Sequence, residues 1–258
     1  DDAEVEAKSI ILATGSESVE IPTLLFDGKT IISSREALSL PEIPESMVII
    51  GGGVIGCELA CVYAAVGCKV TIVEAMDRVI PNEDEWVGKT LAKELKKQGI
   101  KVMASSKVTA VDPSDGTAKV SLESGDTIDA EKVLVAVGRR AVCDPETVGS
   151  LGLKMNGRAI AVNDKMETNV KGVYAIGDAV GTTYLAHGAF LEAETAAENA
   201  CGGSEEMGDY CLVPRAVYTF PEVASVGKSE AKCAEMGIDV EVGKAAFRSN
   251  GRSVAHND

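Results

Sequence analysis

Apolar residues in the middle of the chain form short runs that alternate with helical patterns. Two segments carry a helical pattern, residues 54–66 and 83–98, and in the second we expect Leu91, Leu95 and the single tryptophan, Trp86, on or near one apolar face. Wholly apolar runs between them are typical of strands buried on both faces of a sheet. The predicted buried strands are residues 47–50, 69–74, 101–103 and 132–137.

Residues 107–131 have a different pattern, in which apolar and polar residues alternate over short stretches. Turn residues separate these stretches, Ser-Asp-Gly at 114–116 and Ser-Gly-Asp at 124–126. The pattern predicts an antiparallel meander with strands at residues 107–111, 118–123 and 127–130. The order strand, helix, strand, helix, strand, meander and strand makes residues 46–138 a compact α/β unit of the dinucleotide-binding type.

The segments on either side of this unit predict further sheet structure. Two predicted strands there run directly into polar turns, Thr14-Gly15-Ser16 and Gly177-Asp178. The predicted elements are a strand at the end of residues 6–13, a connector to about residue 44, a strand at 173–176, a helix at 187–200 and a new block from residue 213.

Composition and charge exclude several classes of protein. The 258 residues include 25 Lys and Arg against 40 Asp and Glu, a formal net charge of −15, and such a surface repels a nucleic-acid backbone. No apolar run approaches the roughly 18–20 residues of a membrane span, so we expect no membrane protein. The chain opens with Asp1-Asp2-Ala3 and its first methionine is Met47. With the motifs below, this favours an internal piece of a longer protein over a processed mature chain.

Seven cysteines, an odd number without a Cys-x-x-Cys pair, indicate reduced thiols in an intracellular compartment. Cys57 and Cys61 lie four positions apart on a predicted helix, which puts their Cβ atoms about 5–6 Å apart. A disulfide needs roughly 3.5–4.5 Å, so we expect both to be small apolar core residues. Two histidines, neither with a cysteine at ligand spacing, give no reason to expect a metal site.

The motif Gly51-x-Gly53-x-x-Gly56 lies between a predicted strand and a predicted helix. The first glycine permits a tight turn, the second lets the backbone approach a pyrophosphate, and the third lets helix and strand pack closely. The amides and positive dipole end of a helix N-terminus suit an anion. This pattern predicts a dinucleotide site, and a purely structural turn is the alternative.

Glu74 ends the next predicted strand, 21 residues after Gly53. Its carboxylate is expected to accept hydrogen bonds from the adenine ribose and to repel a 2′-phosphate, which favours NAD over NADP. The alternative is a merely solvated side chain. Arg78 either meets a phosphate or is an ordinary surface cation, and the second is favoured. Glu58 has apolar neighbours and either points inward, where it needs a cation or donors, or lies on a partly exposed face.

Six motifs in order closely resemble those of the pyridine nucleotide–disulfide oxidoreductases, and among them the dihydrolipoamide dehydrogenase branch. They are Ala13-Thr14-Gly15-Ser16, Gly51 through Glu58, Gly138-Arg139-Arg140, Tyr174 through Asp178, Leu185-Ala186-His187 and Tyr218 through Ala224. The resemblance implies an α/β fold with a Rossmann-like NAD domain inserted in an incomplete FAD domain, followed by the start of an α+β dimer-interface domain. The implied divisions are residues 1–45 and 140–210 for the FAD segments, 46–139 for the NAD domain and 211–258 for the interface domain.

The resemblance also implies roles for individual residues. Glu74 would bind the NAD ribose, Val108 and Gly138 would line the nicotinamide path, and Glu58 would pair with a lysine that this chain lacks. Asp178 would bind the sugar-alcohol chain of FAD, with a turn or helix-capping role as the alternative. The NAD pyrophosphate would be lined by Gly51, Gly52, Gly53, Val54, Ile55, Gly56, Cys57 and Glu58, and FAD would be touched by Thr14, Gly15, Ser16, Tyr184, Leu185, Ala186 and His187.

At two of these positions the family's flavin contact does not carry over directly to this chain. Tyr184 stands where the family pattern has methionine, which weakens the contact expected there. At His187 the implied contact is made by the backbone, and the side chain is expected to do nothing chemical.

The implied activity is that of an FAD flavoenzyme which oxidises dihydrolipoyl domains of 2-oxo acid dehydrogenase or glycine cleavage complexes, with NAD as acceptor. It would be a homodimer in the cytoplasm or mitochondrial matrix and contribute to cell redox homeostasis, without nucleic-acid or membrane partners. The chain has no Cys-x4-Cys pair and no His–Glu acid–base pair, so no catalytic residue is assigned. Alternatives are a soluble transhydrogenase, a mercuric or glutathione-type reductase, and an inactive NAD-binding module.

Overall fold

A computed structural model describes residues 5–114 and 116–256. Residues 1–4, residue 115 of the predicted turn at 114–116, and residues 257–258 lie outside the described residues. The strands are β1 (Ile10–Leu12), β2 (Ser16–Ser18), β3 (Ile31–Ile32), β4 (Ser46–Ile50), β5 (Lys69–Val73), β6 (Lys101–Met103), β7 (Val108–Ser114), β8 (Thr117–Leu122), β9 (Thr127–Ala130), β10 (Lys132–Val135), β11 (Arg139–Ala141), β12 (Met155–Asn156), β13 (Ala159–Ile160), β14 (Val173–Ala175), β15 (Arg215–Val217) and β16 (Val223–Ser225). The helices are α1 (Ser34–Ala37), α2 (Val54–Ala65), α3 (Glu85–Lys97), α4 (Pro145–Leu151), α5 (Ala186–Ala200), α6 (Glu230–Glu235) and α7 (Gly251–His256), with short 3₁₀ turns at Gly177–Ala179, Tyr210–Leu212 and Phe247–Ser249.

The chain divides between residues 227 and 228 into a large unit and a small C-terminal unit. The centre of the large unit is a five-stranded sheet in the order β3-β10-β4-β5-β6, and every pair in it is parallel. A three-stranded antiparallel sheet, β7-β8-β9, forms the predicted meander. The predicted order of strands and helices in this region is therefore confirmed.

The packing of strand β4 explains why its residues 47–50 are all apolar. Ile49 packs in one cluster with residues of α2 and α3, while Val48 and Ile50 pack in another with the meander. Both faces of the strand are covered, because successive side chains of a strand point to opposite faces of the sheet. The central sheet is thus the middle of three layers.

Two features differ from the sequence expectation. Strand β3, at Ile31–Ile32, joins the central sheet through β10, although it lies in the segment predicted as a connector ahead of residue 46. Leu91 and Leu95 of α3 are buried, but Trp86 is 52% exposed. At 100° per residue Trp86 is turned well away from the face that the two leucines share, so its placement on the apolar face was wrong.

The remaining strands of the large unit form pairs. Strands β1 and β14 pair in parallel, and β2 pairs antiparallel with β11. Strands β15 and β16 form an antiparallel hairpin whose Val217 is buried in the same cluster as α2. The small C-terminal unit contains α6 and α7, with Cys233 of α6 buried.

Candidate functional site

The glycine motif forms the connection between β4 and α2. Gly51 has a φ of +108°, and a Cβ on it would lie 2.4 Å from the carbonyl oxygen of Ala136. A Cβ on Gly56 would lie 2.0 Å from the carbonyl oxygen of Gly51. Only glycine fits at these two positions, because any side chain would collide with backbone that has no room to move.

Gly53 is different, since nothing lies within 4 Å of a Cβ built on it. It is the N-cap of α2, with φ −72° and ψ −171°, and no side chain caps this helix. Helices begin with amides that have no intrahelical acceptor, and these amides attract anions. The motif therefore presents an open, positively polarised helix end at Gly53, where the pyrophosphate was predicted.

Glu74 follows β5 and is 8% exposed. Its Oε2 accepts a hydrogen bond from the amide of Gly52 at 2.5 Å, and its Oε1 accepts one from the amide of Met76 at 2.7 Å. The alternative of a solvated side chain is therefore wrong. A carboxylate has about four lone-pair positions, so each oxygen can still accept a ribose hydroxyl.

Arg78 is not the surface cation that the sequence favoured. Its guanidinium donates to the Pro81 carbonyl at 3.0 Å and pairs with Asp77 at 2.8 Å. The side chain is 23% exposed, and its Nε is buried without a hydrogen-bond partner among the described residues. Because a Cβ on Gly88 of α3 would meet the Arg78 stem at 3.2 Å, the side chain packs between its own loop and α3.

Glu58 and Cys57, the predicted site residues in the first turns of α2, have partners within the fold. Glu58 is half-buried and accepts a hydrogen bond from the Tyr218 amide at 2.8 Å, so a donor rather than a cation satisfies it here. Cys57 is fully buried, and its amide donates to Gly53 within the helix. Neither the thiol nor the amide of Cys57 is open to a ligand, which corrects its assignment as a pyrophosphate contact.

Burial raises the pKa of Cys57 to about 12, with the charges of Cys61, Glu74 and Glu58 adding to the effect. Burial likewise raises the pKa of Cys61. Both cysteines are free and buried, which confirms their interpretation as core residues. A thiol with a raised pKa is a poor nucleophile, because the thiolate is the reactive form.

The strand ends bring the nicotinamide-side residues towards the same edge of the sheet. Gly138 follows β10, the neighbour of β4, and its carbonyl accepts a hydrogen bond from the Val19 amide at 3.0 Å. Val108 begins β7 and packs, partly buried, in the cluster beneath the meander. The carboxyl ends of parallel strands are where open α/β sheets bind ligands.

A second group of predicted residues lies at the ends of β1 and β14. The hydroxyl of Ser16 donates to Asp178, and Arg139 donates from Nε to Ser16 Oγ at 2.7 Å. The N-cap of the 3₁₀ turn at Gly177–Ala179 is Ile176, so the helix-capping alternative for Asp178 is wrong. Thr14 is exposed and Gly15 has a φ of +78°, and the hydrogen bond from Ser16 places this turn beside Asp178.

Helix α5 begins at Ala186 and its N-cap, Leu185, provides no side-chain cap. Tyr184, just before it, has a left-handed φ of 54°. The His187 ring contacts the carbonyl oxygen of Pro214 through Nε2 at 2.5 Å. Because a carbonyl only accepts, Nε2 carries the proton in this contact. This hydrogen bond anchors the segment that enters β15. It is a structural contact, and the expectation that the side chain does nothing chemical stays a prediction.

Two residues of this region were not predicted, Glu192 and Tyr210. Glu192 is 1% exposed and accepts from the Gly177 amide at 2.5 Å and from the Tyr210 hydroxyl at 2.8 Å. The signal for Glu192 is a single acidic residue on the face that α5 forms with Ala196 and Asn199, at spacings of four and seven. No pattern in the sequence singles out Tyr210.

The described residues contain neither a membrane-spanning helix nor a cluster of metal-ligating side chains. No helix among residues 5–114 and 116–256 combines the length and the apolar character needed to cross a membrane. The same residues contain no group of three or more potential metal-ligating side chains.

Comparison with known proteins identifies the architecture. Residues 1–196 match the family model of the pyridine nucleotide-disulphide oxidoreductases, and residues 213–258 match the model of their dimerisation domain. The chain is 42% identical over 253 residues to a dihydrolipoyl dehydrogenase of Bacillus subtilis, covering 96% of this chain and 54% of the relative. It is 40% identical over 258 residues to a mitochondrial dihydrolipoyl dehydrogenase of Pisum sativum, covering 97% and 51%.

Solved structures agree with this assignment. LpdA from Mycobacterium tuberculosis superimposes with a TM-score of 0.91 at 25% identity, covering 99% of this chain and 56% of that one. The HOCl-induced flavoprotein disulfide reductase RclA from Escherichia coli gives a TM-score of 0.88 at 26% identity, covering 99% and 59%.

The chain spans about half the length of the curated relatives it matches. The resemblance inferred from the six motifs and the predicted fold class are confirmed, and the family uses FAD and NAD as cofactors. The chain belongs to the pyridine nucleotide-disulphide oxidoreductase family, with its dimerisation domain beginning near residue 213.

Proposed function

We propose that this chain forms the NAD-binding part and a portion of the FAD-binding part of a dihydrolipoyl dehydrogenase. In this proposal the complete enzyme transfers two electrons from a protein-bound dihydrolipoyl group to NAD⁺, giving a lipoyl disulfide, NADH and a proton. The dihydrolipoyl domains would be those of 2-oxo acid dehydrogenase or glycine cleavage complexes. The support is the name shared by relatives that are about 40% identical over almost the whole chain.

One observation carries the nucleotide assignment: the space beside Gly53 is open while its neighbours are closely packed. A side chain would fill this space, and α2 begins there without a side-chain cap on its first amides. We assign the pyrophosphate of NAD to this helix end, where the backbone amides act as donors. Val54 and Ile55 contribute the first amides of the helix.

Glu74 provides the selectivity for the coenzyme. Its carboxylate is held in place by the amides of Gly52 and Met76. In this fixed position it would accept the ribose 2′-hydroxyl of NAD and repel the 2′-phosphate of NADP. Gly138 and Val108 would lie along the path of the nicotinamide.

FAD, when bound, supplies the two-electron relay between thiols and NAD. The residues present fit this group, since Asp178 has an acceptor oxygen for sugar hydroxyls and the turn Thr14-Gly15-Ser16 lies beside it. The uncapped start of α5 at Leu185 and Ala186 would stabilise negative charge on the pyrimidine edge of the flavin. Tyr184 and His187 would position this helix start.

The remaining steps of the reaction are not assigned to this chain. No two of its cysteines have the Cys-x4-Cys spacing, so we place the exchange with the dihydrolipoyl thiols, and the accompanying proton transfer, on other residues of the complete enzyme. The side chains described here bind and orient cofactors.

We also propose the division into FAD segments at residues 1–45 and 140–210, an NAD domain at 46–139 and an interface domain at 211–258. The matched dimerisation domain supports a homodimer. Seven free cysteines support a reducing compartment, the cytoplasm or the mitochondrial matrix, where disulfides rarely persist.

The test combines two measurements. The purified chain is titrated with NADH and NADPH by calorimetry, and the complete enzyme is assayed with dihydrolipoamide and NAD⁺ by absorbance of NADH. We expect NADH to bind at least tenfold more tightly than NADPH and dihydrolipoamide to be oxidised. Preference for NADPH, or reduction of glutathione disulfide or mercuric ion in place of dihydrolipoamide oxidation, would overturn the proposal.

A further inference from the structure

Glu192 is a buried carboxylate that the proposed function does not use. It lies on α5 and is 1% exposed. Burying a carboxylate is unfavourable unless donors satisfy it. Its surroundings therefore indicate what the residue holds in place.

Both oxygens of Glu192 accept hydrogen bonds from other segments. Oε2 accepts from the Gly177 amide at 2.5 Å, and Oε1 accepts from the Tyr210 hydroxyl at 2.8 Å. Gly177 has a φ of +66°, and a Cβ on it would lie 3.3 Å from the Cβ of Ala189 on α5. The turn that carries Asp178 is thus fastened to α5 through the side chain of Glu192.

Tyr210 adds a third segment to this arrangement. It begins the 3₁₀ turn at Tyr210–Leu212, ahead of the hairpin of β15 and β16. The Thr182 side chain, in the loop between Asp178 and α5, also hydrogen-bonds to Tyr210. One hydroxyl therefore contacts both Glu192 and the loop that leads to the start of α5.

We propose that Glu192 is a positioning residue for FAD and that Tyr210 acts through it, so that the pair sets the orientation of the Gly177–Asp178 turn and thereby the affinity for FAD. This inference rests on the proposed function, because it takes Asp178 as a flavin contact. Glu192 fastens Gly177, the residue before Asp178, to α5, and Ser16 holds the Asp178 carboxylate from the other side. Loss of the Glu192 carboxylate would let Gly177 move away from α5 and would shift Asp178 relative to the ligand.

The test measures the FAD dissociation constant of the complete enzyme by flavin fluorescence, together with the melting temperature of the FAD-free protein. We expect Glu192→Ala to weaken FAD binding about tenfold or more and Tyr210→Phe to weaken it by a smaller factor, since a hydrogen bond to a charged group is lost in each. Glu192→Gln should remain within about threefold of wild type, because its amide can accept from Gly177 and donate to Tyr210.

The double variant Glu192→Ala/Tyr210→Phe should bind FAD no more weakly than Glu192→Ala alone, since the two residues act as one unit. Matched controls are Glu194→Ala on the exposed side of α5 and Tyr218→Phe, whose residue is 70% exposed. Both should bind FAD as wild type does.

The outcomes separate two failures. If Glu192→Ala and Tyr210→Phe bind FAD with wild-type affinity, as Glu192→Gln is expected to do, this inference is wrong and the proposed function is unaffected. A lowered melting temperature without any change in FAD affinity would show a merely structural role and also overturn it. A complete enzyme that binds no FAD in its wild-type form would overturn the proposed function itself.

Discussion

The carboxylate of Glu74 accepts a hydrogen bond from the amide of Gly52, a residue 22 positions earlier in the chain. The residue proposed to recognise the coenzyme ribose therefore also fixes the shape of the glycine loop. The proposed recognition of the ribose and the geometry of the glycine loop thus depend on the same side chain, that of Glu74. Changes at Glu74 must consequently affect stability as well as coenzyme choice.

Glu74→Gln should lower the free energy of unfolding by about 1–3 kcal/mol, because the amide nitrogen of glutamine would face a backbone N–H and leave a buried donor unsatisfied. It should also weaken NADH binding about tenfold and reduce the preference over NADPH. Urea unfolding and calorimetric titration measure the two effects. Glu85→Gln, at an exposed side chain, is the control, and a Glu74 variant as stable as this control would contradict the account.

Gly53→Ser should affect stability and binding in opposite directions. Serine suits the extended N-cap backbone of Gly53 and can cap α2, so we expect a gain of a few tenths of a kcal/mol in the free energy of unfolding. The same side chain would occupy the open space beside the loop and compete for the amides. NADH affinity should therefore fall at least tenfold, measured by calorimetry.

Gly56→Ala is the contrasting variant, because its Cβ would collide with the Gly51 carbonyl oxygen. It should lose on the order of 3 kcal/mol of stability, as expected for overpacking against rigid backbone.

Tight NADH binding by Gly53→Ser would show that the open space beside Gly53 is not the pyrophosphate site.

The cysteines should differ strongly in reactivity. Burial raises the pKa of Cys57 to about 12 and that of Cys68 to about 11, whereas Cys201 is exposed. With iodoacetamide at about pH 8, Cys57 and Cys68 should react at least about a hundredfold more slowly than Cys201. Peptide mass spectrometry after timed labelling measures this. In urea all three should react at similar rates, and fast labelling of native Cys57 would contradict its burial.

Glu192 should make stability depend on pH. Burial raises its pKa, opposed by its bonds from Tyr210 and Gly177, and Asp178 raises it further. The folded state then holds the proton more tightly than the unfolded state, so stability falls as pH rises from the ordinary value of 4.5 through the raised one.

Glu192→Gln removes this titration. Relative to wild type, its free energy of unfolding should therefore increase with pH across that window, by at most about 1.4 kcal/mol per pH unit. Urea unfolding of the FAD-free protein at a series of pH values measures the difference. Glu194→Gln should run parallel to wild type, and a parallel curve for Glu192→Gln would refute the prediction.

Local patterns predicted the central sheet well. The run Met47 to Ile50 indicated a strand covered on both faces, and the structure covers it with helices on one side and the meander on the other. The turn signal at residues 124–126 likewise located the β8–β9 connection. These features depend on neighbouring residues, which a sequence shows directly.

Features that depend on distant partners could not be predicted in this way. Strand β3 has two residues and exists through its pairing with β10, far along the chain. The tasks of Glu192 and Tyr210 arise from contacts with each other across 18 positions and with Gly177. Burial of a polar group is satisfied in three dimensions, and periodicity carries no information about that partner.

Strands β1 and β14 are parallel neighbours, and Ser16 meets Asp178 although 162 positions separate them. During synthesis on the ribosome, β1 must wait for its partner while the entire central sheet emerges and closes in between. Closing so long a loop is slow when the intervening chain is unfolded, and quick once that chain has collapsed into a domain with nearby ends. We therefore expect the central sheet to form before β14 pairs with β1.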